Sequence, residues 1–376
     1  MFSPFAGTLV LQPTPLCNMR CTYCYLANLS DRSRMAPDIP RKLASELAAY
    51  PLGHPVEVRW HAGEPLTVGV DHFSSLLEPF EPLRRAGRLR HTLQTNGTLI
   101  DDAWCELFRR HAVGVGVSLD GPRWANGERR TLSGAQTFDR AMAGIDRLRS
   151  HHLPLSVIAV VTSANIPEIV DRASEYFDFF RSIDAREIGF NLEEQEGKHS
   201  VDPIAPARVR AFWNAVFDAW VAADCTPRIR DFQRVLSFAA ASLEGSTEVR
   251  PVDPMPTVTW DGNVVLLSPE LAGCRDERHG DFTVGNVRDG ALTALIERGL
   301  EQPYVREFCE GSERCREQCR YFDYCRGGQA SNRYFEHGDF VTNETEFCRS
   351  SRQAPFDVLV GLIQSSTHDV HVQEPQ

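Results

Sequence analysis

Eleven cysteines stand in this chain of 376 residues, and nine of them lie in two groups or close to them. Cys17, Cys21 and Cys24 form C-x3-C-x2-C directly after an apolar run. Three thiolates on one loop suit three irons of a [4Fe–4S] cluster. The fourth iron then has no protein ligand. An open iron chelates a small molecule through an amine and a carboxylate, and methionine carries both. An electron passed from such a cluster breaks a carbon–sulfur bond and leaves a carbon radical. That chemistry belongs to the cofactor, while the protein supplies position and shielding. A zinc site closed by His54 or His61 is the alternative. Zinc favours paired C-x2-C knuckles, however, and this group stands alone.

The second group is Cys309, Cys315, Cys319, Cys325 and Cys348, spaced C-x5-C-x3-C-x5-C-x22-C, with Cys274 upstream. It reads as a second metal-binding region, with a zinc ribbon or disulfides as alternatives. Residues 1–13 show no basic leader followed by an apolar stretch, and no run is long enough to span a bilayer. A cytoplasmic location with no membrane partner is therefore expected, and a reducing compartment disfavours disulfides. Cys105 and Cys225 read as ordinary, partly buried residues. A net charge of −11 argues against a nucleic-acid partner, which needs a basic face.

These groups need a scaffold. Apolar, strand-like runs at 8–14, 56–61, 91–95, 113–119, 155–161 and 187–192 alternate with helical stretches such as 101–111 and 136–152. That alternation predicts an α/β fold with a parallel sheet, either a partial (βα)6 barrel or an open doubly wound sheet. The first cysteine group falls at the C-terminal edge of the first strand, where parallel sheets bind ligands. Val209, Phe212, Trp213, Val216, Phe217, Trp220 and Val221 recur at helical spacing over 206–224 and read as a core stripe. The stretch 246–256 is polar and Pro-rich, a connection. Asp261-Gly262-Asn263 between β-rich arms predicts a hairpin. From 309 to 348 the chain shows little regular pattern. The expected domains are 1–225, a connection 226–256, a cysteine-rich extension 257–354 and a tail 355–376.

The segment Pro13-Thr14-Pro15-Leu16-Cys17-Asn18-Met19-Arg20-Cys21-Thr22-Tyr23-Cys24-Tyr25 resembles the opening of radical S-adenosylmethionine (SAM) enzymes of the peptide-modifying branch. Trp60-His61-Ala62-Gly63-Glu64-Pro65 resembles that family's GGEP element, with Ala62 in place of its first glycine. Gln94-Thr95-Asn96-Gly97 and Ser118-Leu119-Asp120-Gly121 resemble two further strand-end motifs. The resemblance implies a cosubstrate pocket drawing on Tyr23, Ala62, Gly63, Glu64, Gln94, Asn96, Ser118, Asp120 and either Arg129 or Arg130. Glu64 either accepts a ligand N–H or fixes its own loop. Asp120 either serves the pocket or caps a turn.

Residues 315–328 resemble the SPASM extension of the same enzymes, which binds auxiliary [4Fe–4S] clusters. That pattern has a further cysteine where this chain has Gln329. One auxiliary cluster, on Cys315, Cys319, Cys325 and Cys348, is therefore implied. Cys309 and Cys274 are left to substitute or to serve a second, incomplete cluster. Phe190 to Gly197 and Cys325 to Gly328 resemble maturases that cross-link side chains of ribosomally made peptides, cyclophane formers among them. The resemblance then implies a precursor peptide as substrate and flavodoxin or ferredoxin as electron donor. Glu193, Glu194 and Asp261 are candidate bases. An anaerobic sulfatase-maturing enzyme is one alternative, although such enzymes normally carry the full set of auxiliary ligands. A non-catalytic iron–sulfur or zinc scaffold is the other.

Overall fold

The computed structural model describes residues 7–50, 53–245 and 252–361. Residues 246–251 of the expected connection and 362–376 of the expected tail lie outside the described residues. Six parallel strands lie side by side in chain order: β1 (Thr8–Leu11), β2 (Val56–Trp60), β3 (Leu89–Thr95), β4 (Gly114–Ser118), β5 (Leu155–Val161) and β6 (Ala185–Leu192). This is the partial (βα)6 barrel. The sheet continues at both ends. β7 (Arg228–Ile229) joins β6 in parallel. On the other side β8 (Thr257–Val258) joins β1 in parallel, followed by antiparallel β9 (Asn263–Val265) and β10 (Thr283–Asn286). One sheet of ten strands thus runs from the barrel into the cysteine-rich extension.

Along β5 buried and half-buried residues alternate at every position, the period-two signature of a strand with one face on the core. The buried faces pack under helices that include Asp38–Ala49, Asp102–His111 and Phe138–Ser150. Helix Asp102–His111 starts where it does because the Asp101 carboxylate accepts the Trp104 N–H at 3.0 Å. The aromatic stripe of helix Pro206–Ala222 is core: Phe212 and Trp213 meet Phe190 edge-on at 5.5 and 6.1 Å between centroids. Val221, expected in that stripe, instead faces solvent at 48% exposure.

Two other expectations need correction. β1 stops at Leu11 rather than at 14, because Pro13 and Pro15 have no N–H for the ladder. The region 309–348 is helical over Pro303–Gln318, Phe322–Cys325 and Ala330–His337. The buried face of Pro303–Gln318 uses Gly311 and Cys315 between its apolar residues, so it shows no clear stripe in sequence. Among the described residues no helix is long and apolar enough to cross a membrane.

Candidate active site

Beyond β1, residues 12–37 have no regular structure apart from an isolated bridge between Met19 and Thr131. Cys17, Cys21 and Cys24 lie in this stretch, so other strand ends must hold its shape. After β2, Glu64 is 1% exposed. Its Oε1 accepts from Leu66 N at 3.1 Å and Thr95 Oγ1 at 2.7 Å, and its Oε2 accepts from Asn96 N at 2.7 Å. Its own N–H donates to the Leu16 carbonyl at 2.7 Å. Gly63 beside it has φ +60°, and a Cβ there would sit 2.4 Å from the Thr14 carbonyl oxygen. After β3, Asn96 Nδ2 donates to Asn18 Oδ1 at 2.8 Å. After β4, Asp120 is buried; its Oδ2 accepts from Tyr23 OH at 2.6 Å and its Oδ1 from Arg129 Nε and Val160 N, both at 3.0 Å. Three strand ends therefore each grip the cysteine loop.

The three thiols are half-buried. Burial pushes the Cys17 thiol up to about 12, with Glu64, Cys21 and Cys24 adding to it. Cys21 and Cys24 are also raised by burial, with Arg129 opposing. A thiolate is the metal-binding form, and a bound cation of high charge reverses this local preference. The donor set thus fits a thiolate-ligated metal centre. His54 is not its fourth ligand: it lies beside Gly7 and Asp253, at the opposite edge of the sheet. His61 is taken by Tyr25, whose hydroxyl lies 3.2 Å from Nε2. Arg129 is buried and uses only Nε on Asp120, so among the described residues its two terminal nitrogens keep their donors for a ligand.

In the extension, Cys315, Cys319, Cys325 and Cys348 line one small cavity with Gly327, Gly328 and Arg352. Burial, helped by the other three thiols and opposed by Arg333, lifts Cys315 to about 11. Arg333 is 1% exposed and has no carboxylate in ion-pair range among the described residues; its Nη2 reaches Cys315 Sγ at 3.4 Å. A guanidinium buried without a carboxylate calls for another anion, and a four-thiolate iron–sulfur cluster is one.

Glu194, Glu196 and Glu270 gather into one recess, where Glu194 and Glu196 both feel the charge of Glu270. Burial, then Glu270 and Glu336, raises the Glu194 carboxyl to about 8. Burial, then Glu270 and Glu194, holds Glu196 well above its ordinary range. Burial also raises Glu270. Asn332 Nδ2 donates to Glu194 Oε2 at 2.7 Å. Tyr25, one residue past Cys24, is raised by burial and by its neighbours Glu270, Glu196 and Cys24, so the recess opens beside the cysteine loop.

Residues 11–174 match the radical SAM superfamily. The chain belongs to the radical SAM superfamily. It is 30% identical over 378 residues to an uncharacterised protein of Synechocystis sp., covering 97% of this chain and 94% of that one. It is 25% identical over 381 residues to the serine-type anaerobic sulfatase-maturating enzyme of Bacteroides thetaiotaomicron, covering 94% and 90%. The solved structure of native anSMEcpe with bound AdoMet and the Kp18Cys peptide superposes with a TM-score of 0.74 at 22% identity, over 96% of this chain and 99% of that one; at that identity the likeness is one of fold. As a radical SAM enzyme the chain works with a [4Fe–4S] cluster and SAM, and auxiliary clusters are typical of its C-terminal extension.

Several residues marked in the sequence prove to be struts in this radical SAM fold. Both oxygens of Glu64 accept from its own loop or from β3, so it fixes loops. Gly63 admits the backbone of the cysteine loop. Ala62 takes φ +73°, the left-handed conformation a glycine would adopt more easily. Gln94 and Ser118 face each other across β3 and β4, with Nε2 donating to Oγ at 2.8 Å. Arg130 is half-buried, and among the described residues its side chain meets the Gly134 carbonyl at 3.4 Å, whereas Arg129 is buried against Asp120. Glu193 is tied to Ser163 N and His199. Asp261 is exposed and caps its own hairpin turn through Thr259 and Asn263.

Two cysteines also stand apart. Cys309 shares a helix with Cys315, but its charged neighbour is Glu313 and not another thiol. Cys274 is raised to about 11 by burial, Glu196 and Glu270, and belongs to the recess. Neither Cys274 nor Cys309 is among the electrostatic neighbours of the other. Glu196, Glu270, Asn332, Arg333 and Arg352 went unmarked in sequence. Only Glu196 carried a signal, as part of the Phe190–Gly197 motif.

Proposed function

We propose that this chain is a radical SAM peptide maturase that joins side chains of a ribosomally made precursor into a ring with net loss of two hydrogens. The observation that carries the reading is one complete set of four auxiliary thiols, with Cys309 and Cys274 outside it, next to a carboxylate recess. Cys17, Cys21 and Cys24 hold the first cluster. Arg129 pairs with the cosubstrate carboxylate through its terminal nitrogens, and Asp120 and Tyr23 hold that guanidinium in place. Cys315, Cys319, Cys325 and Cys348 hold the auxiliary cluster. Bound there, these groups would supply radical hydrogen abstraction and a sink for the surplus electron. Glu194 accepts the second hydrogen as a proton. Its raised pKa suits it to receive a proton near neutral pH. A flavodoxin or ferredoxin supplies the reducing electron.

Anaerobic reaction with SAM, dithionite and a co-expressed candidate precursor tests this, read by mass spectrometry. A loss of two hydrogens with stoichiometric 5′-deoxyadenosine is expected. The second reading, oxidation of a cysteine or serine to formylglycine, is favoured by the 25% identity to a sulfatase-maturating enzyme. It predicts an aldehyde on a sulfatase-derived peptide, and that product would overturn the first reading.

A further inference from the structure

We propose that Arg333 and Arg352 set the reduction potential of the auxiliary centre high enough for it to accept the electron released on ring closure. The inference rests on the assignment of Cys315, Cys319, Cys325 and Cys348 as its ligands. Arg333 is held from several sides. Nη1 donates to the Phe340 carbonyl at 2.9 Å and the Phe308 carbonyl at 3.3 Å. Nη2 donates to the Gly327 carbonyl and to Cys315 Sγ at 3.4 Å. The guanidinium carbon lies 4.9 Å from the centre of the Phe308 ring.

The helix is built around this side chain. A Cβ at Gly311 would sit 2.1 Å from Arg333 Nη1. Glycine weakens a helix interior relative to alanine, and here it makes room for the guanidinium. Arg352 approaches the same cavity from the other side, 4.6 Å from the centre of the Phe347 ring, with Nη1 on the Ser351 carbonyl at 3.2 Å. Among the described residues neither arginine has a carboxylate in ion-pair range. The other charges that face Arg352 are Arg234, Asp231 and the Glu194 carboxylate, besides Cys325 and Tyr324.

The redox consequence follows from charge. Uptake of one electron by a four-thiolate [4Fe–4S] centre adds one negative charge with no proton. Buried cations and N–H donors to its sulfurs stabilise the reduced form more than the oxidised form, which raises the potential. With two unneutralised guanidiniums at one centre, the auxiliary site is the better electron acceptor of the two. Among the described residues the first centre faces Arg129, already paired with Asp120, and Lys198 beside Cys24.

The test uses the full-length chain with Cys17, Cys21 and Cys24 all changed to alanine, so that only the auxiliary centre remains. Its midpoint potential is followed by EPR-monitored titration in Arg333→Gln, Arg352→Gln, the double variant and Arg333→Lys, with iron quantified in each. Each glutamine variant should lower the reduction equilibrium constant about tenfold, a negative shift of about 59 mV for one electron. The double variant should show the sum, and lysine at 333 should restore most of the shift. A purely structural role would lower iron content and leave the potential of the loaded fraction unchanged. Full iron with unmoved potentials in both glutamine variants overturns the proposal while leaving the peptide reading intact. A background protein that binds no iron removes the ligand assignment and the proposal with it. Absence of any peptide product in the mass-spectrometric assay bears on the peptide reading alone, since no peptide enters the titration.

Discussion

Gly63→Ala is the sharpest perturbation of the site, because it adds one carbon at the point where β2's loop meets the cysteine loop. The new Cβ would lie 2.4 Å from the Thr14 carbonyl oxygen, 2.8 Å from the Leu16 carbonyl oxygen and 3.0 Å from the Pro15 carbonyl carbon. Carbon and oxygen in contact sit about 3.3 Å apart, so the backbone of the cysteine loop must retreat by roughly 1 Å. Overpacking of this kind costs about 1–3 kcal/mol, and placing a side chain at φ +60° adds about 1 kcal/mol. At about 2.1 cal/mol/K per residue, 376 residues give an unfolding entropy near 0.8 kcal/mol/K. A loss of about 3 kcal/mol then lowers Tm by about 4 °C. The larger effect is chemical. Cys17 is two residues beyond Pro15, and a misplacement of about 1 Å at a reacting centre costs about 100-fold. The assay is 5′-deoxyadenosine formation from SAM under dithionite, beside a thermal melt by circular dichroism. Near-native cleavage in a folded variant with full iron would refute the claim that this contact fixes the loop.

Ala62→Gly is the counterpart: relief of φ +73° outweighs the added freedom of the unfolded chain, and a melt should show about 0.5 kcal/mol of stabilisation. Asp120→Asn leaves the buried Arg129 guanidinium without its charge partner and should cost about 3 kcal/mol in chemical denaturation, with SAM binding weakened in a titration. Because burial raises Glu194 from 4.5 to about 8, the folded chain holds a proton there that the unfolded chain has lost; this contribution is full below pH 4.5 and is lost as pH rises through about 8. Tm should therefore fall across that window and peptide turnover should climb, and in Glu194→Gln both slopes should be shallower. Cys348→Ala should lose about four irons per chain by elemental analysis, whereas Cys309→Ala should retain them.

Much of the scaffold is legible in the sequence because it rests on short-range pattern. Strand period, a helix cap such as Asp101 and a hairpin turn such as Asp261-Gly262 are each written within a few residues. The recess is illegible for the opposite reason. Glu194 and Glu196 follow β6, whereas Glu270 follows β9; the two strands lie toward opposite ends of one ten-strand sheet, and only its curvature brings the carboxylates together. Arg333 is hidden similarly. In sequence it is one arginine among many, and its meaning lies in a glycine on another helix that makes room for it.

The strand-end motifs teach a subtler point about function. Glu64, Asn96 and Asp120 look like ligand-binding residues because they are polar and lie on the rim where ligands bind. Their hydrogen bonds run instead to Leu16, Asn18 and Tyr23 or to the residues that hold them. An irregular loop satisfies few of its backbone groups by itself. Its three thiols must nonetheless stay fixed while they bear the charge of a metal centre. Buried side chains at three strand ends supply that stiffness, and among the described residues the terminal nitrogens of Arg129 stay open beside it. The division is physical: groups that must hold geometry have every bond made inside the protein, and groups that must meet a ligand keep some bonds unmade.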